Sequence, residues 1–232
     1  MPKSDQNQLG RNSVCIVCSY KFKDEPLESW SKKIRAICHP FKDASFFPKK
    51  KKRFLLSESD FADQLCIKIE NKPRKKRYDY AYFTYDNRQG IKCKGLHFFP
   101  HFAKAAEQKG LKGIMIDYAA TDVGKPSYTE QRRRGTVGYD LRKTRKHLAS
   151  CEKIKVLRGR QGERDVSKIM QRSKFIFFPN TADTSPRLIT EALVRGIPIL
   201  VNNNIYGGWK YIKEDWNGYL FNGPSHKDKL EN

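Results

Sequence analysis

The residues best suited to chemistry lie in the polar stretch 180–191, which follows an apolar run and leads into a helical pattern. Ser185 is a typical helix N-cap, and Pro186 suits the first helical position. The N–H groups and positive dipole end of such a helix start suit a phosphate. Glu191, one turn after Arg187, can accept two hydrogen bonds from a vicinal diol such as a ribose. The alternative interpretation is an ordinary capped helix with an Arg187–Glu191 surface pair.

A second candidate site is the basic, glycine-containing loop 86–95, which precedes another helical pattern. Arg88, Lys92 and Lys94 can converge there on a diphosphate together with backbone amides, and Arg88 can bind two oxygens at once. The alternative is a solvated basic loop in a protein with 47 Lys and Arg residues.

The elements that would position these loops follow from Tyr78 onward, where short apolar runs alternate with helical patterns. This alternation predicts an α/β fold, a doubly wound Rossmann-like parallel sheet with helices on both faces. The predicted strands are 80–84, 113–117, 154–157, 175–179 and 197–201, and the predicted helices are 96–109, 166–171 and 186–195 with Gly196 as C-cap. Because ligands bind beyond the carboxyl ends of parallel strands, both loops are expected at one edge of the sheet.

The first part of the chain is too short for a full doubly wound domain, so residues 1–77 are expected to form a small N-terminal α/β subdomain before a domain of residues 78–232. The pattern predicts strands at 13–20 and 54–56, with Ser57 as a helix N-cap. Between the strands it predicts a helix whose apolar positions are Leu27, Trp30, Ile34 and Ile37.

Together the two loops resemble the C-terminal nucleotide-sugar-binding domain of GT-B-fold glycosyltransferases, especially the large retaining family with an E-x7-E motif. Asp183 and Glu191 reproduce the spacing of that motif, with Asp in place of the first Glu. The segment 191–201 matches the text "EAxxxGxPxxx" that follows in the family, and 207–221 resembles its closing stretch. The resemblance covers Tyr78 to Phe221.

The resemblance implies a role for each matching residue. Glu191 would bind the ribose, Arg158 and Gly159 would border the base, and Asp183 would lie near the sugar as a candidate catalytic residue. The donor diphosphate would be held by Arg88, Lys94, Gly95, Ser185, Pro186, Arg187 and Leu188.

Two histidines, His97 and His101, fall in the first turns of the predicted helix after the basic loop. His101 is a candidate catalytic or acceptor-orienting residue, because a base must lie within hydrogen-bond reach of the acceptor hydroxyl. Packing among the neighbouring phenylalanines is the alternative.

One part of the family's architecture has no full counterpart in this sequence. It is the N-terminal Rossmann-like domain, which in the family normally binds the acceptor. Either residues 1–77 face the acceptor in reduced form, or the sequence is one domain of a longer multidomain protein. The expected function is sugar transfer from a nucleoside diphosphate sugar, UDP- or GDP-linked, to a hydroxyl of a glycan or other acceptor. No cofactor or metal is expected to be required, since cations and helix ends can neutralise the diphosphate.

The net charge of +22 attracts polyanions and keeps two alternatives open. A basic nucleic-acid-binding protein would show steeply salt-dependent binding, although no common recognition signature is present. An inactive glycosyltransferase-like scaffold would bind nucleotide weakly or not at all.

The six cysteines are scattered, and the CxxC formed by Cys15 and Cys18 lies in a strand-like run, where residues three apart point to opposite faces. This arrangement disfavours a metal site and suggests reduced thiols. The chain opens without a secretory signal pattern and has no apolar run of the ~20 residues that cross a bilayer, so a cytoplasmic location is expected.

Overall fold

The computed structural model describes residues 13–16, 34–42, 45, 47, 51–61, 74–84, 94–117, 146–159, 161–181, 183 and 186–223. These residues form two sheets in which every paired strand is parallel. The smaller sheet has three strands and the larger has six.

The three-stranded sheet has the order β1-β2-β3, with β1 at Ser13–Ile16, β2 at Ile34–His39 and β3 at Lys52–Leu55. A 3-10 helix follows at Glu58–Phe61. The helix predicted through Ile34 and Ile37 is wrong for these two residues, because both lie in β2. The run 34–39 pairs with β1 on one side and with β3 on the other, and this long-range pairing overrides the helix-like spacing of Ile34 and Ile37. Leu27 and Trp30 lie outside the described residues.

The six-stranded sheet consists of β4 at Tyr78–Phe83, β5 at Gly113–Asp117, β6 at Ile154–Arg158, β7 at Ser173–Phe178, β8 at Ile199–Asn202 and β9 at Gly218–Phe221. Its strand order, β6-β5-β4-β7-β8-β9, reverses direction between β4 and β7. This is the strand order of a doubly wound Rossmann-like fold, and the reversal is its topological switch point. The predicted α/β fold class is confirmed.

Within the described residues, the larger sheet is covered by α1 at Phe99–Gln108, α2 at Glu163–Gln171 and α3 at Arg187–Val194, and residues 146–149 are also helical. The alternation of side chains along each strand sends Tyr80, Tyr82 and Phe177 to one face, where they pack against α1. Ala81 and Ile176 go to the other face, where they pack against α2 and α3. Helices on both faces bury the sheet and hold its carboxyl edge in place.

Helix ends differ by a few residues from the sequence predictions. α3 begins at Arg187, so Pro186 is its N-cap residue and not its first helical residue. Ser185, the predicted N-cap, lies outside the described residues. Gly196 ends the helix as predicted, with φ of 68° and its N–H donating to Leu193 O at 2.9 Å. Ser57 precedes the 3-10 helix, and its own N–H donates to the Asp60 carboxylate at 2.6 Å.

Candidate functional site

The two candidate loops meet at the switch point of the larger sheet. Lys94 follows β4 and Asp183 follows β7, and these strands are neighbours. The Lys94 ammonium forms an ion pair with Oδ2 of Asp183, and Asn180 Nδ2 donates to the same oxygen at 2.9 Å. The two side chains are only 21% and 11% exposed. A cation and a carboxylate 89 positions apart in the chain are therefore held together in a partly buried crevice.

Glycine at position 95 lets the Lys94 loop approach the end of β7. Gly95 has φ of 70°, and a Cβ there would lie 2.3 Å from Pro179 O. The Tyr82 hydroxyl also donates to Lys94 O at 3.0 Å, which ties the loop to β4. The backbone around Lys94 is thus fixed by contacts on both central strands.

A third segment, Gly207-Gly208, packs against Asp183 and the start of α3. The sequence analysis did not assign it to the site. The Gly207 N–H donates to the carbonyl oxygen of Asp183 at 2.8 Å. Gly208 has φ of 86°, and a Cβ there would lie 2.5 Å from Pro186 Cγ. The Gly-Gly pair after β8 was the available signal, since adjacent glycines often mark a close approach of backbones.

The start of α3 carries the predicted ribose-binding carboxylate. Arg187 Nε lies 3.0 Å from Glu191 Oε1, with the Arg187 side chain 77% exposed and that of Glu191 20% exposed. This is the surface pair that the alternative interpretation described. Glu191 thus lies in the second turn of α3, and Gly208 packs against Pro186 and Ile189 at the start of the same helix.

The predicted base-binding residues lie at the carboxyl end of β6, two strands away from β4. Gly159 has φ of 84°, and its N–H donates to Asp117 O at 3.0 Å. Arg158 is exposed, and its carbonyl oxygen accepts a hydrogen bond from Gln161 Nε2 at 3.4 Å. Both residues share the carboxyl edge of the sheet with the Lys94–Asp183 pair.

His101 is exposed on α1, and its ring lies edge-on to that of His147 with 5.8 Å between centroids. His97 lies in the turn before α1. The catalytic role of His101 stays a prediction. Arg88, the predicted bidentate diphosphate ligand, and Lys92 lie outside the described residues.

Buried polar side chains form the floor of this edge. Thr84, Asp117, Thr181 and Asn202, which end or follow four of the strands, are each at most 4% exposed. Thr84 Oγ1 donates to Ile116 O at 3.1 Å. Asn202 Oδ1 accepts from the N–H groups of Asn204 at 3.0 Å and of residue 223 at 3.1 Å. Sequence reasoning missed this floor, because single Thr and Asn residues at strand ends carry no distinctive spacing.

The three-stranded sheet docks beside the site through the segment 203–211. The Asp60 carboxylate pairs with the Lys210 ammonium and accepts a hydrogen bond from the Tyr211 hydroxyl at 2.7 Å. Lys42 Nζ donates to Asn203 O at 2.8 Å. Lys42 and Asp60 contact this segment near its two ends, and Asp183 contacts Gly207 between them, so the small region and the Asp183 loop are joined to the same short stretch of chain.

Electrostatics at this junction favour a charged Asp60. Burial raises the pKa of Asp60, but the hydrogen bonds from Lys210, Ser57 and Tyr211 outweigh it and hold the pKa below its usual range. Burial, with the neighbouring Asp60, raises the pKa of the Tyr211 hydroxyl, which therefore stays a donor. Burial and the charge of Arg53 lower the pKa of His39 at the end of β2.

The described residues contain neither a candidate metal site nor a candidate membrane-spanning helix. In that part of the chain, no group of three or more His, Cys, Asp or Glu side chains is arranged to hold a metal ion. No helix among the same residues has the length and apolar character needed to cross a membrane.

A family model matches the C-terminal part of the chain, and solved structures share its fold. Residues 135–231 match the family model of glycosyl transferases group 1. No curated protein matches the sequence. The fold is similar to the crystal structure of TarM, with a TM-score of 0.59 and 13% identity over 93% of this chain and 41% of that one.

Two further solved structures share the fold. Anabaena Alr3699/HepE in complex with UDP has a TM-score of 0.56 and 14% identity, over 92% of this chain and 59% of that one. The lipopolysaccharide outer core galactosyltransferase WaaB has a TM-score of 0.56 and 11% identity, over 88% of this chain and 53% of that one. The chain thus spans less than two thirds of the length of each of these three proteins.

The chain has the fold of GT-B glycosyltransferases, and its C-terminal part matches glycosyl transferases group 1. The resemblance predicted from the sequence is confirmed. The boundary at residue 77, the roles of individual site residues and the D-x7-E reading of Asp183 and Glu191 stay predictions.

Proposed function

We propose that the protein transfers a sugar from a nucleoside diphosphate sugar to a hydroxyl group of a glycan or other acceptor. In this reaction the bond between the anomeric carbon and the β-phosphate oxygen breaks, and the acceptor oxygen forms a new bond to the same carbon. The acceptor hydroxyl loses its proton, and the nucleoside diphosphate leaves. The family match and the fold support this class of reaction.

The observation that carries the proposal is the meeting of Lys94 and Asp183 at the switch point. Ligands of doubly wound folds bind in this crevice, beyond the carboxyl ends of the strands. On donor binding, the Lys94 ammonium would turn from Asp183 to the diphosphate, assisted by Arg88. A positive charge held there stabilises the negative charge that builds up on the leaving diphosphate. Asp183, released from the ion pair, would face the sugar.

The start of α3 would hold the other side of the donor. Backbone N–H groups of residues 185–188 and the positive helix end favour a phosphate. Glu191 would accept hydrogen bonds from the ribose hydroxyls, and its ion pair with Arg187 would orient the carboxylate. Arg158 and Gly159, at the same edge of the sheet, would border the base.

The acceptor would approach from the three-stranded sheet, which docks beside the crevice. His101 is the proposed acceptor-orienting residue. The donor base is proposed to be uracil or guanine, and three of the similar solved structures contain UDP. We also propose that the protein is located in the cytoplasm.

Thermal shift with UDP, GDP and their sugar conjugates tests the donor site, because a ligand that binds the native state raises the apparent stability. We expect one nucleotide series to raise the melting temperature of the wild-type protein. Arg88→Ala, Lys94→Ala and Glu191→Ala should each remove most of that shift.

Lys75→Ala is the matched control, since Lys75 is an exposed lysine just before β4, at the other end of that strand. It should leave the nucleotide shift unchanged. A wild-type protein that responds to none of these nucleotides would contradict the proposal and favour a scaffold. Steeply salt-dependent binding of nucleic acid without a nucleotide response would favour the nucleic-acid alternative.

A further inference from the structure

The segment 203–211 supports two parts of the candidate donor site. At its centre, the Gly207 N–H donates to Asp183 O at 2.8 Å. The next residue packs against the start of α3, where a Cβ at Gly208 would lie 2.5 Å from Pro186 Cγ. A shift of this segment would therefore move the main chain of Asp183 or open a gap beside the helix end that is proposed to hold the diphosphate.

The Asp60 carboxylate fixes the carboxyl-terminal end of the segment. It forms an ion pair with the Lys210 ammonium and accepts a hydrogen bond from the Tyr211 hydroxyl at 2.7 Å. Lys210 Nζ also donates to Leu55 O at 3.1 Å, at the end of β3. The side chains of Lys210 and Asp60 are only 11% and 18% exposed, so solvent screens their attraction weakly.

Lys42 fixes the other end of the segment. Its Nζ donates to Asn203 O at 2.8 Å and lies 5.2 Å from the centre of the Trp209 ring. The rings of Phe41 and Tyr206 also meet edge to face, with 6.2 Å between centroids. The smaller region thus holds the segment on both sides of the glycine that contacts the Asp183 loop.

We infer that Asp60, Lys210 and Tyr211 are positioning residues for the donor site. This inference rests on the proposed function, in which Asp183 and the start of α3 face the donor. The three side chains hold the segment 203–211, and the segment in turn holds the Asp183 main chain. Groups that are already ordered bind a ligand more tightly than groups that must be ordered on binding. The donor site therefore reaches its full affinity only when the smaller sheet is docked.

The opposite charges of Asp60 and Lys210 separate positioning from a general electrostatic effect. If only the overall field mattered, loss of the negative charge at Asp60 would strengthen the attraction for an anionic nucleotide. Loss of the positive charge at Lys210 would weaken it. A positioning role predicts weaker binding in both cases, because each change frees the same segment.

Isothermal titration calorimetry of the full chain with UDP and with GDP tests the inference, at a temperature well below the melting point of every variant. For the nucleotide that the wild type binds, Asp60→Asn and Lys210→Met should each raise the Kd about threefold to tenfold. Tyr211→Phe should raise it less, because the Asp60–Lys210 pair remains. Lys210→Arg keeps the charge and should keep most of the affinity.

Asp79→Asn is the matched control. The Asp79 side chain is also 18% exposed, pairs with Lys174 at 2.8 Å and accepts a hydrogen bond from Lys112 N at 2.7 Å. It lies near the amino end of β4, opposite the candidate site. This change removes the same charge and a similar set of contacts, so denaturant unfolding should show a similar loss of stability. The nucleotide Kd should nevertheless stay within about twofold of the wild-type value.

Hydrogen exchange gives a readout that needs no nucleotide. The Gly207 amide, which donates to Asp183 O, should exchange faster in Asp60→Asn and Lys210→Met than in the wild type. Asp79→Asn should leave that exchange rate unchanged. Amide exchange followed by NMR on the labelled full chain measures it.

Three results of the titration would overturn the inference: unchanged affinity in Asp60→Asn and Lys210→Met, effects of opposite sign in these two variants, or an equal loss in Asp79→Asn. Unchanged exchange at Gly207 would overturn it as well. A wild-type protein that binds neither nucleotide would contradict the proposed function. In that case, faster Gly207 exchange in Asp60→Asn would still support the positioning of Asp183 by the smaller region.

Discussion

The two sheets of the molecule are built from the same kind of parallel strand but are held in place by different forces. The six-stranded sheet has apolar cores on both faces, with aromatic stacks such as Phe102 on Phe177 at 3.7 Å between centroids. In the three-stranded sheet, β3 is exposed along its whole length, and polar contacts from Asp60 and Lys42 join the sheet to its neighbour. The larger sheet should therefore be stable by itself, and the smaller one should depend on docking.

The difference also separates the roles of the two regions. Lys94, Asp183, Glu191 and Gly207 all belong to the larger sheet and its loops, which places the candidate donor site on the more rigid scaffold. Within the described residues, the smaller sheet and the 3-10 helix that follows it contact the site region through the segment 203–211 and through α3. Damage to the larger sheet should abolish folding and binding together, whereas damage at the junction should loosen one region and leave the other folded.

The largest effect is expected in the core of the larger sheet. Phe177→Ala should lower the free energy of unfolding by about 3–5 kcal/mol, because it removes a ring that is 1% exposed and leaves a cavity among five aromatic neighbours. Denaturant unfolding followed by circular dichroism measures the change. A loss below about 1 kcal/mol would show that this core is loosely packed and would undo the contrast between the sheets.

Gly95→Ala should be the next most damaging change. A Cβ at φ of 70° is strained, and it would collide with Pro179 O at 2.3 Å. We expect a loss of about 2 kcal/mol or more in stability, together with weaker nucleotide binding, since the Lys94 loop must move away from β7. Gly159→Ala is the control for the loss of stability, because φ there is also positive, at 84°, but no atom lies within 4 Å of the added Cβ. Equal effects of the two changes would show that the collision with Pro179 is unimportant.

Asp60→Asn should produce a smaller and local effect, about 1–2 kcal/mol, because it removes a charged partner of Lys210 and Tyr211. Hydrogen exchange should rise in β2 and β3 and stay unchanged in β4 and β7. Exchange that rises equally in both sheets would mean that they unfold as one unit.

The same carboxylate gives the junction a pH dependence. The pKa of folded Asp60 is lowered, so its contribution is present above the unfolded-state value of ~4 and is lost as the pH falls through the lower folded value. The protection factors of the amides in β2 and β3, which compare their exchange with that of an unstructured chain at the same pH, should therefore fall in acid in the wild type but change less in Asp60→Asn. Parallel pH profiles would contradict the assignment to Asp60.

The smallest effect is expected at the exposed face of β3. Phe54→Ala removes a ring that is 47% exposed, so the free energy of unfolding should change by only about 0.5 kcal/mol. A loss comparable to that of Phe177→Ala would show that this face is covered in solution. The measurement is the same denaturant unfolding as for Phe177→Ala.

Local pattern was enough to predict the larger sheet. Runs such as Gly113–Asp117 are short, apolar and separated by helices, and the structure gives that strand the predicted bounds. The strand at Gly218–Phe221 was not predicted, because four residues beside an Asn-Gly turn are too few to show a period. Ile34 and Ile37 were assigned to a helix, because the spacing of apolar residues was read over a window that crossed the start of β2.

The candidate site could be predicted only in part, because some of its contacts join residues that are far apart in the sequence. The residues that could bind phosphate are recognisable from their types and from the helix that follows them. The Asp60–Lys210 pair joins residues 150 positions apart, and the contact of Gly207 with Asp183 depends on how two loops pack. Such long-range contacts leave no periodic pattern in the sequence.

The central claim is that the donor diphosphate lies between the Lys94 loop and the start of α3. A crystal structure of the protein with bound UDP tests it most directly. We predict that a phosphate oxygen lies within about 3 Å of Lys94 Nζ and that the same diphosphate accepts hydrogen bonds from backbone N–H groups at residues 186–188. A UDP molecule whose diphosphate contacts neither group, or one seated at another edge of the sheet, would contradict the account.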